Sequence, residues 1–292
     1  ESNSHESSRW ADGPWPLIET PSKTQDISKH EAIYIANEMA FAHNSMLRGL
    51  NSLYLQADLS NSKDIEDFLF FLRSWAGWVS HHHALEEERM FPQFEEAMKQ
   101  PGSLQGNIEE HHTFQPALEK LLAYGETRPE EYQASIVRSL IEEMAPSFRE
   151  HLAHEITSLL SMASFDGAPL LKVYKECEAE AGKQDKVKDF CFLFLLLFPL
   201  WLGPSPPFSR SFETGFEFVN ESKIYDQFVI PPMVLGLRDI TFEGGNQWPT
   251  LSPQSNDIVH NLFARKHADA WRFLPSDTWG NPRPLKFATP LT

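Results

Sequence analysis

The sequence predicts an all-α protein built on an antiparallel, up-down-up-down four-helix bundle. Four long segments repeat apolar residues at alternating steps of three and four, a spacing that puts them on one face of a helix. Short breakers separate these segments, namely Asn61-Ser62, Pro101-Gly102 and the stretch from Gly125 to Pro129. Long helices joined by short links are typical of such bundles. Each of the four faces also carries a histidine near its middle.

The region before the first helix, residues 1–27, is polar with scattered proline and tryptophan. It predicts an irregular arm. We expect the arm to lie across the body of the protein, because Trp10, Trp15 and Leu17 favour contact with other apolar side chains over water.

The first two helices are predicted from about residue 28 to 54 and from about residue 64 to 99. The inward face of the first consists of Ile33, Ala36, Ala40, His43, Leu47, Leu50 and Tyr54. The inward face of the second consists of Phe68, Leu72, Trp75, Val79, His82, Glu86 and Met90. Both faces are apolar except where the histidine and glutamate interrupt them.

The third and fourth helices begin near Leu104 and after Arg128-Pro129. The inward face of the third consists of Leu104, Ile108, His111, Gln115, Leu118 and Leu122. The inward face of the fourth consists of Val137, Ile141, Met144, Phe148, His151, Glu155 and Leu159. Residues 28–163 are therefore predicted to form the bundle.

Residues 164–292 differ in composition from the bundle and are richer in proline, glycine and aromatic residues. Helices are predicted at residues 170–183, 189–198 and 256–267, and a short extended run at residues 228–230. Because this part has too little regular pattern for a separate fold, we expect a partly helical C-terminal extension that wraps the bundle.

Composition excludes several classes of function. The formal charge of −16 repels phosphate backbones, which argues against a nucleic-acid partner. The longest apolar run, residues 190–202, is too short to cross a bilayer and contains Pro199. We interpret it as buried core in preference to a segment that binds a membrane surface or an apolar substrate.

The cysteine content bears on the compartment of the protein. The two cysteines, Cys177 and Cys191, make no disulfide framework and are interpreted as buried thiols. With no signal peptide visible at the N-terminus, we expect an intracellular, cytoplasmic setting.

Six ionisable side chains interrupt the apolar faces, and their burial needs compensation. An unpartnered buried carboxylate or imidazole costs several kcal/mol, and six of them would exceed the roughly 5–15 kcal/mol stability of a domain. A pair of metal cations removes the cost, since histidine and carboxylate then become ligands. The predicted ligands are His43, His82, Glu86, His111, His151 and Glu155. Two histidine–glutamate pairs have i,i+4 spacing, which stacks the side chains one turn apart.

These residues resemble the motifs of the hemerythrin/HHE cation-binding family. The second-helix motif is matched by residues 82–87 (HHALEE) with Phe91-Pro92, the third by residues 110–114 (EHHTF), the fourth by residues 151–155 (HLAHE), and the first by Ala42-His43 with Leu47-Arg48. The resemblance covers about residues 28–163 and is closest to long fungal members with a C-terminal extension. It implies two iron ions in the bundle and O2 as a partner; zinc or manganese in the same cage is the alternative.

Two departures from the family pattern concern Gln115 and Glu155. Oxygen-carrying members have a second histidine where this chain has Gln115, and an aspartate five residues after the last histidine, whereas Glu155 follows His151 by four. We expect Gln115 to face the metal layer and to leave an open coordination position for catalysis. His83, about 100° round the helix from His82, is a possible further ligand.

The remaining histidine and glutamate residues near these motifs are not predicted to bind metal. Glu87 and Glu88 predict a solvated charged face. His81, His112 and His154 fall away from the inward faces, and His260 and His267 read as structural or surface residues. Motifs for dinucleotide binding, phosphate binding and nucleophilic serine catalysis are absent from the sequence.

Two functions are compatible with these residues. The first is a di-iron oxygenase or oxidase that takes electrons from an external donor and acts on an apolar or aromatic small molecule. It is motivated by Gln115 and by the long aromatic extension, in which Phe190, Phe192, Phe194, Phe198 and Trp201 line a pocket or simply form core. The second is reversible O2 binding, or sensing of iron or oxygen, which fits a ligand set with only two carboxylates among six.

Overall fold

Five helices form the body of the protein. The computed structural model describes residues 10–184, 228–244 and 248–288, and within these ranges it contains helices, turns and one isolated β-bridge but no strand. The helices of the body are α1 (Glu31–Leu55), α2 (Ser62–Leu85), α3 (Phe91–Met98), α4 (Gln105–Tyr124) and α5 (Ala134–Ser161). The all-α prediction is confirmed for the described residues, while the antiparallel direction of the helices stays a prediction.

Local sequence explains where the first helices begin and end. The His30 side chain accepts a hydrogen bond from the backbone N–H of Ala32 and caps α1. Asn61 accepts from the N–H groups of Lys63 and Asp64 and caps α2, the role that asparagine fills best. Lys99 ends α3 in the left-handed conformation, with φ of 55°. These caps lie within a few residues of the predicted boundaries.

The predicted second helix is interrupted next to the candidate ligands. Between α2 and α3, residues Glu86–Met90 form a single π-helical turn. Such a turn inserts one extra residue and is frequent at functional sites. It shifts the helical phase of the residues that follow Glu86, so a regular helical pattern does not describe their directions.

The core of the bundle is dense and aromatic. Among the fully buried side chains are Phe68, Phe71, Trp75, Phe114 and Phe148. Trp75 donates from Nε1 to the Met46 carbonyl at 3.1 Å and lies against Gly49, where an added Cβ would fall 2.2 Å from the same nitrogen. The close approach of α1 and α2 at this level therefore requires glycine.

The described C-terminal segments contain three further helices, α6 (Gly167–Gln184), α7 (Ile230–Leu237) and α8 (Pro253–Asn261), of which α6 and α7 pack on the bundle. Helix α6 contacts α1 and α3, and α7 contacts α1 and α2. Met233, Val234 and Leu237 of α7 belong to the same apolar core as the bundle. The described segments after residue 164 thus contribute to the walls around the bundle.

One predicted element of the C-terminal part is wrong, and another lies outside the described residues. Residues 228–230 were predicted as extended, but Val229 has φ of −113° and ψ of −66°, and Ile230 begins α7. Two prolines in the first turn, Pro231 and Pro232, favour this helix start because the N–H they lack has no helical partner there. The predicted helix at 189–198, Cys191 and the aromatic residues 190–201 fall outside the described residues.

Buried polar side chains of α1 hold the N-terminal arm. Ile18 donates from its backbone to Asn44 Oδ1 at 2.7 Å, and Asn51 Nδ2 donates to the Ala11 carbonyl at 2.8 Å. Arg48 binds Asp12 at 3.2 Å and Asp239 at 2.9 Å, joining the arm to the segment after α7. Within the arm Trp15 and Leu17 pack against the core, whereas Trp10 stays 38% exposed.

Membrane-spanning segments are absent from the described residues. None of their helices combines the length and the apolar character needed to cross a membrane.

Candidate metal centre

The orientation of two histidines is set by backbone carbonyls. His43 donates from Nδ1 to the carbonyl of Leu152 at 2.9 Å, and His83 donates from Nδ1 to the carbonyl of Val79 at 2.8 Å. A carbonyl oxygen only accepts, so the proton of each neutral ring must sit on Nδ1. Nε2 then carries a free lone pair, the arrangement found in metal-binding histidines.

Two further histidines are held by carboxylates. His111 Nδ1 lies 2.7 Å from Glu87 Oε1, and His151 Nδ1 lies 3.1 Å from Glu110 Oε2. The Nε2 atoms of the two rings point at each other across 3.0 Å. Two adjacent nitrogen ligands on one metal, each with a bond of about 2.1 Å, are separated by about this distance.

The donor atoms form two groups that share one residue. His83, Glu86, His111 and His151 form one group, and each offers a donor atom within 4.8 Å of the others. A second group with the same property consists of His43, His82 and Glu86. Glu86 therefore stands between a three-histidine group, which consists of His83, His111 and His151, and a two-histidine group, which consists of His43 and His82.

Glu155 lies between the same two groups. Its Oε2 atom is 3.3 Å from His43 Nε2 and 3.7 Å from His151 Nε2. Glu86 lies close enough to Glu155 for the charge of that carboxyl group to raise the pKa of Glu86. Two carboxylates placed between two sets of imidazoles have the arrangement needed to bridge a pair of cations.

Many of these donor atoms are buried without a hydrogen bond. The buried atoms that make no hydrogen bond among the described residues include Nε2 of His43, His82 and His83 and both carboxylate oxygens of Glu86 and of Glu155. They lie close to one another all the same, with His82 Nε2 only 2.7 Å from Glu86 Oε1. Polar atoms buried in this way are costly, and native proteins rarely tolerate several at one place. Cations bound between the two groups would satisfy all of them, so the residues fit a two-metal site.

Burial also sets the protonation state of the imidazoles. It lowers the pKa of His82 and His83 well below the usual value, and it lowers the pKa of His111 as well. For His151, burial lowers the pKa to about 2. These rings are therefore neutral near pH 7, as metal coordination requires.

The two carboxyl groups differ in their tendency to ionise. Burial raises the pKa of Glu86 well above its usual value, and the neighbouring carboxyl of Glu155 adds to that effect. For Glu155, burial acts in the same direction, but the nearby imidazoles of His43, His151 and His111 outweigh it, and its pKa is lowered. Glu86 is thus the carboxyl group whose ionised form most needs a bound cation.

The structure brings the six predicted ligands together in one layer and adds His83. Gln115 is not part of this layer: its side chain is exposed and its amide donates to Glu119 at 2.9 Å. The expectation that Gln115 faces the metal layer is therefore wrong. The inward face of α4 runs from His111 to Phe114 and then to Leu118, a step of three before a step of four.

His83 lies where Gln115 was expected. The centre of its ring is 4.6 Å from that of His111 and 5.0 Å from that of Phe114. The side chain is buried and reaches the three-histidine group from α2 rather than from α4. The site therefore does not lose a nitrogen donor at Gln115.

Glu87 and Glu110 are the residues that sequence reasoning missed. Glu87 was predicted to be solvated, but it binds His111, and Glu110 binds both His151 and His154. No spacing within one helix reveals these contacts, because each joins a glutamate to a histidine of a different helix. Only the i+1 position of Glu87 after Glu86 signals that it lies near the site.

A cavity of about 250 Å³ adjoins the two-histidine side of the site. His82 and Glu86 belong to its lining, while His83, His111 and His151 do not. Most of the described wall is apolar and comes from α1, α2, α6, α7 and residues 248–251; it includes Met39, Trp78, Leu85, Met90, Val234 and Trp248. The side of the site with fewer histidines is thus the side that adjoins an apolar cavity.

Comparison with known proteins gives one family and one relative. The family model of the hemerythrin HHE cation binding domain matches residues 35–163. The chain is 30% identical over 283 residues to the dimeric xanthone biosynthesis cluster protein R11 of Cryptosporiopsis sp. (strain 8999), a match that covers 95% of this chain and 93% of that protein. No solved structure matches the chain significantly.

Proposed function

This chain belongs to the hemerythrin HHE cation-binding family, and from that premise we propose that it is a non-haem di-iron protein that binds O2 and uses it to oxidise an apolar or aromatic small molecule. The domain implies metal binding, and the buried histidine and glutamate cluster supports it. We further propose that residues 28–163 form the metal-binding unit, with residues 1–27 and 164–292 packed around it.

The proposed ligand set has seven members. On one side, His83, His111 and His151 supply three nitrogens. On the other side, His43 and His82 would supply two, and Glu86 and Glu155, which lie between the two groups of histidines, would supply carboxylate oxygens. Iron held there would supply O2 binding and electron transfer, chemistry that no side chain of the protein provides.

The observation that carries the proposal is the position of the cavity. The two-histidine side has fewer protein donors and therefore more room for an exogenous ligand. That side faces the cavity through His82 and Glu86. A molecule in the cavity would therefore lie next to any coordination position that the protein ligands leave unfilled. A carrier of O2 alone has no need of a 250 Å³ apolar space at this place.

The chain's own residues would orient and shield this chemistry. Glu87 and Glu110 hold the rings of His111 and His151 in the direction required for coordination. Trp78 and Met90 cover the cavity side of the site with apolar surface, which keeps water away from it. The substrate would be recognised by these walls rather than by the metal ligands.

The printed name of the relative supports an aromatic substrate. That protein is assigned to a cluster for dimeric xanthone biosynthesis, and a xanthone is a three-ring aromatic ketone. The similarity extends over nearly the whole of both chains, including the C-terminal residues that build the cavity wall. We infer that this protein acts on a polycyclic aromatic molecule of similar kind.

Reversible O2 binding, or sensing of oxygen or iron, is the second candidate function. The observation that favours it is the presence of a fifth histidine, His83, among the candidate ligands, which makes the ligand set rich in nitrogen. Zinc or manganese in the same cage is compatible with these donors, since ligand type alone rarely fixes the metal.

Oxygen consumption by iron-loaded protein separates the two functions. With a reductant and a neutral polycyclic aromatic present, an oxygenase consumes many equivalents of O2 per iron pair and converts the aromatic to an oxidised product. A carrier takes up one equivalent and releases it when the O2 pressure falls. The proposal is contradicted if O2 uptake stops at one equivalent with every aromatic tested and no product forms.

A further inference from the structure

Glu38 of α1 is a buried carboxyl group in the wall of the cavity. Its side chain is only 9% exposed and belongs to the cavity lining. Among the described residues it makes no hydrogen bond or ion pair; the charged groups that influence it are Lys175 and Glu178 of α6. A buried carboxyl without a protein partner is available to a molecule in the cavity.

The protonation of Glu38 makes it a hydrogen-bond donor. Burial raises its pKa to about 7; the charge of Glu178 acts in the same direction, and that of Lys175 opposes it. A large fraction of Glu38 is therefore protonated at neutral pH, and a protonated carboxyl donates one hydrogen bond. Its natural partner is the oxygen of a ketone, quinone or phenol.

The charges around the cavity disfavour both anions and cations. Neither lysine nor arginine lies in the described lining, while Glu38, Glu86 and Glu178 do, so the described lining offers an anion no counter-charge. Glu178 is itself paired with Lys175 at 2.9 Å, which compensates its charge. With Glu86 committed to the metal centre, the protonated form of Glu38 leaves no free carboxylate in the described lining to attract a cation.

The size and walls of the cavity suit a flat molecule of two or three rings. Its volume of about 250 Å³ exceeds the ~150 Å³ that holds benzene in an engineered protein. Trp78 and Trp248 offer aromatic surfaces for stacking. Both features point to a planar ring system with few polar groups.

Building on the proposed function, we propose that the cavity selects neutral, multi-ring aromatic molecules with a carbonyl or phenol oxygen, and that Glu38 is the specificity-determining residue that donates a hydrogen bond to this oxygen. The ring system packs against Trp78 and Trp248 in the cavity that His82 and Glu86 also line. Molecules of the same shape that lack the oxygen bind less tightly, and carboxylates are excluded.

Three probes with one ring skeleton test this proposal by equilibrium dialysis against iron-loaded protein without O2. Xanthone carries the carbonyl, xanthene has a methylene in its place, and xanthone-2-carboxylate adds a negative charge. The wild-type protein is expected to prefer xanthone over xanthene by up to about tenfold, the value of one buried hydrogen bond, and to bind the carboxylate at least tenfold more weakly than xanthone. Equal affinity for xanthone and xanthene overturns the proposal, as does tighter binding of the carboxylate.

Two variants separate the hydrogen bond from the shape of the site. Glu38→Gln keeps a donor and should keep the preference for xanthone, whereas Glu38→Leu should lose it while binding xanthene normally. Thr250→Val, which removes the hydroxyl of an uncharged residue in the same lining, is the matched control and should keep the preference. If Glu38→Leu still prefers xanthone as strongly as the wild type, Glu38 is not the donor.

The pH dependence gives an independent reading. Because the protonated form of Glu38 binds, the affinity of the wild type for xanthone should fall as the pH rises from 6 to 8, and that of Glu38→Gln should change less. Tighter binding of the cation 10-methylacridinium than of xanthone would overturn the choice of a neutral ligand. Iron content and O2 uptake are measured separately, so that loss of either contradicts the proposed function and leaves the binding result to decide this inference.

Discussion

The Nε2 atoms of His111 and His151 lie 3.0 Å apart, although the Nδ1 atom of each ring already faces a carboxylate. Two imidazoles oriented in this way bring two lone pairs together unless a cation lies between them. The arrangement joins α4 to α5 at the level of the predicted ligands. It is the most direct geometric support for a metal in the three-histidine group.

The outer carboxylates should control metal affinity without touching the metal. Glu87→Gln and Glu110→Gln each remove the charge that holds a histidine ring, and we expect metal affinity to fall by about 10–100-fold. Competition with a chromophoric chelator measures this. Glu88→Gln and Glu109→Gln, at neighbouring positions outside the histidine contacts, are the matched controls and should bind metal as the wild type does. Equal affinities in all four variants would show that Glu87 and Glu110 have no part in positioning the rings.

His83 and Gln115 should have opposite importance for metal content. His83→Asn removes a nitrogen from the three-histidine group and should lower the iron content of the purified protein or weaken its retention during dialysis. Gln115→Ala changes an exposed side chain and should leave the iron content unchanged. The assignment of His83 fails if its variant keeps both metals as firmly as the wild type while Gln115→Ala loses one.

The contrast between these residues shows what the sequence predicts well and what it does not. Apolar spacing predicted the four long helices, and the histidine on each helical face reached the same layer because helices of similar length pack side by side. Gln115 was misplaced because a period of 3.6 residues allows a step of three or four after His111, and Phe114 takes the inward position. The contact of Glu87 with His111 depends on how helices pair and on the π-helical turn at Glu86, neither of which leaves a periodic signal.

The cavity could not be predicted for a different reason. Its walls combine α1 and α2 with residues 230–235 and 248–251, segments with little periodic pattern whose position depends on tertiary packing. Arg48 connects the stretch after α7 to the arm through Asp239 and Asp12. A buried arginine on the first helix signals a charged partner, but the sequence does not say which one.

Metal removal should destabilise the fold. Ligand formation is linked to folding, so chelation should lower the melting temperature measured by circular dichroism. His82→Ala and Glu155→Ala should abolish the difference between metal-loaded and chelated protein. His260→Ala should keep it, because His260 contacts Thr278 and Trp279 rather than any of the proposed ligands. An unchanged melting curve after complete loss of iron would argue against this coupling.

Gly49 of α1 should be much less replaceable than Gly106 of α4. An added Cβ would collide with Trp75, so Gly49→Ala forces α1 away from α2 and should cost about 1–3 kcal/mol of unfolding free energy. Gly106→Ala, where a Cβ meets nothing within 4 Å, should be neutral or stabilising by about 0.4–1 kcal/mol. Urea denaturation of both variants tests the comparison, and equal stabilities would contradict the packing described for Trp75.

Anomalous diffraction at the iron edge from crystals of iron-loaded protein tests the central claim most directly. We expect two anomalous peaks about 3.5–4 Å apart, with Glu86 and Glu155 between them. One peak should have three histidine ligands, His83, His111 and His151, and the other should have His43 and His82 and face the cavity. A single peak, peaks remote from Glu86, or Gln115 bound to a metal in place of His83 would contradict the account.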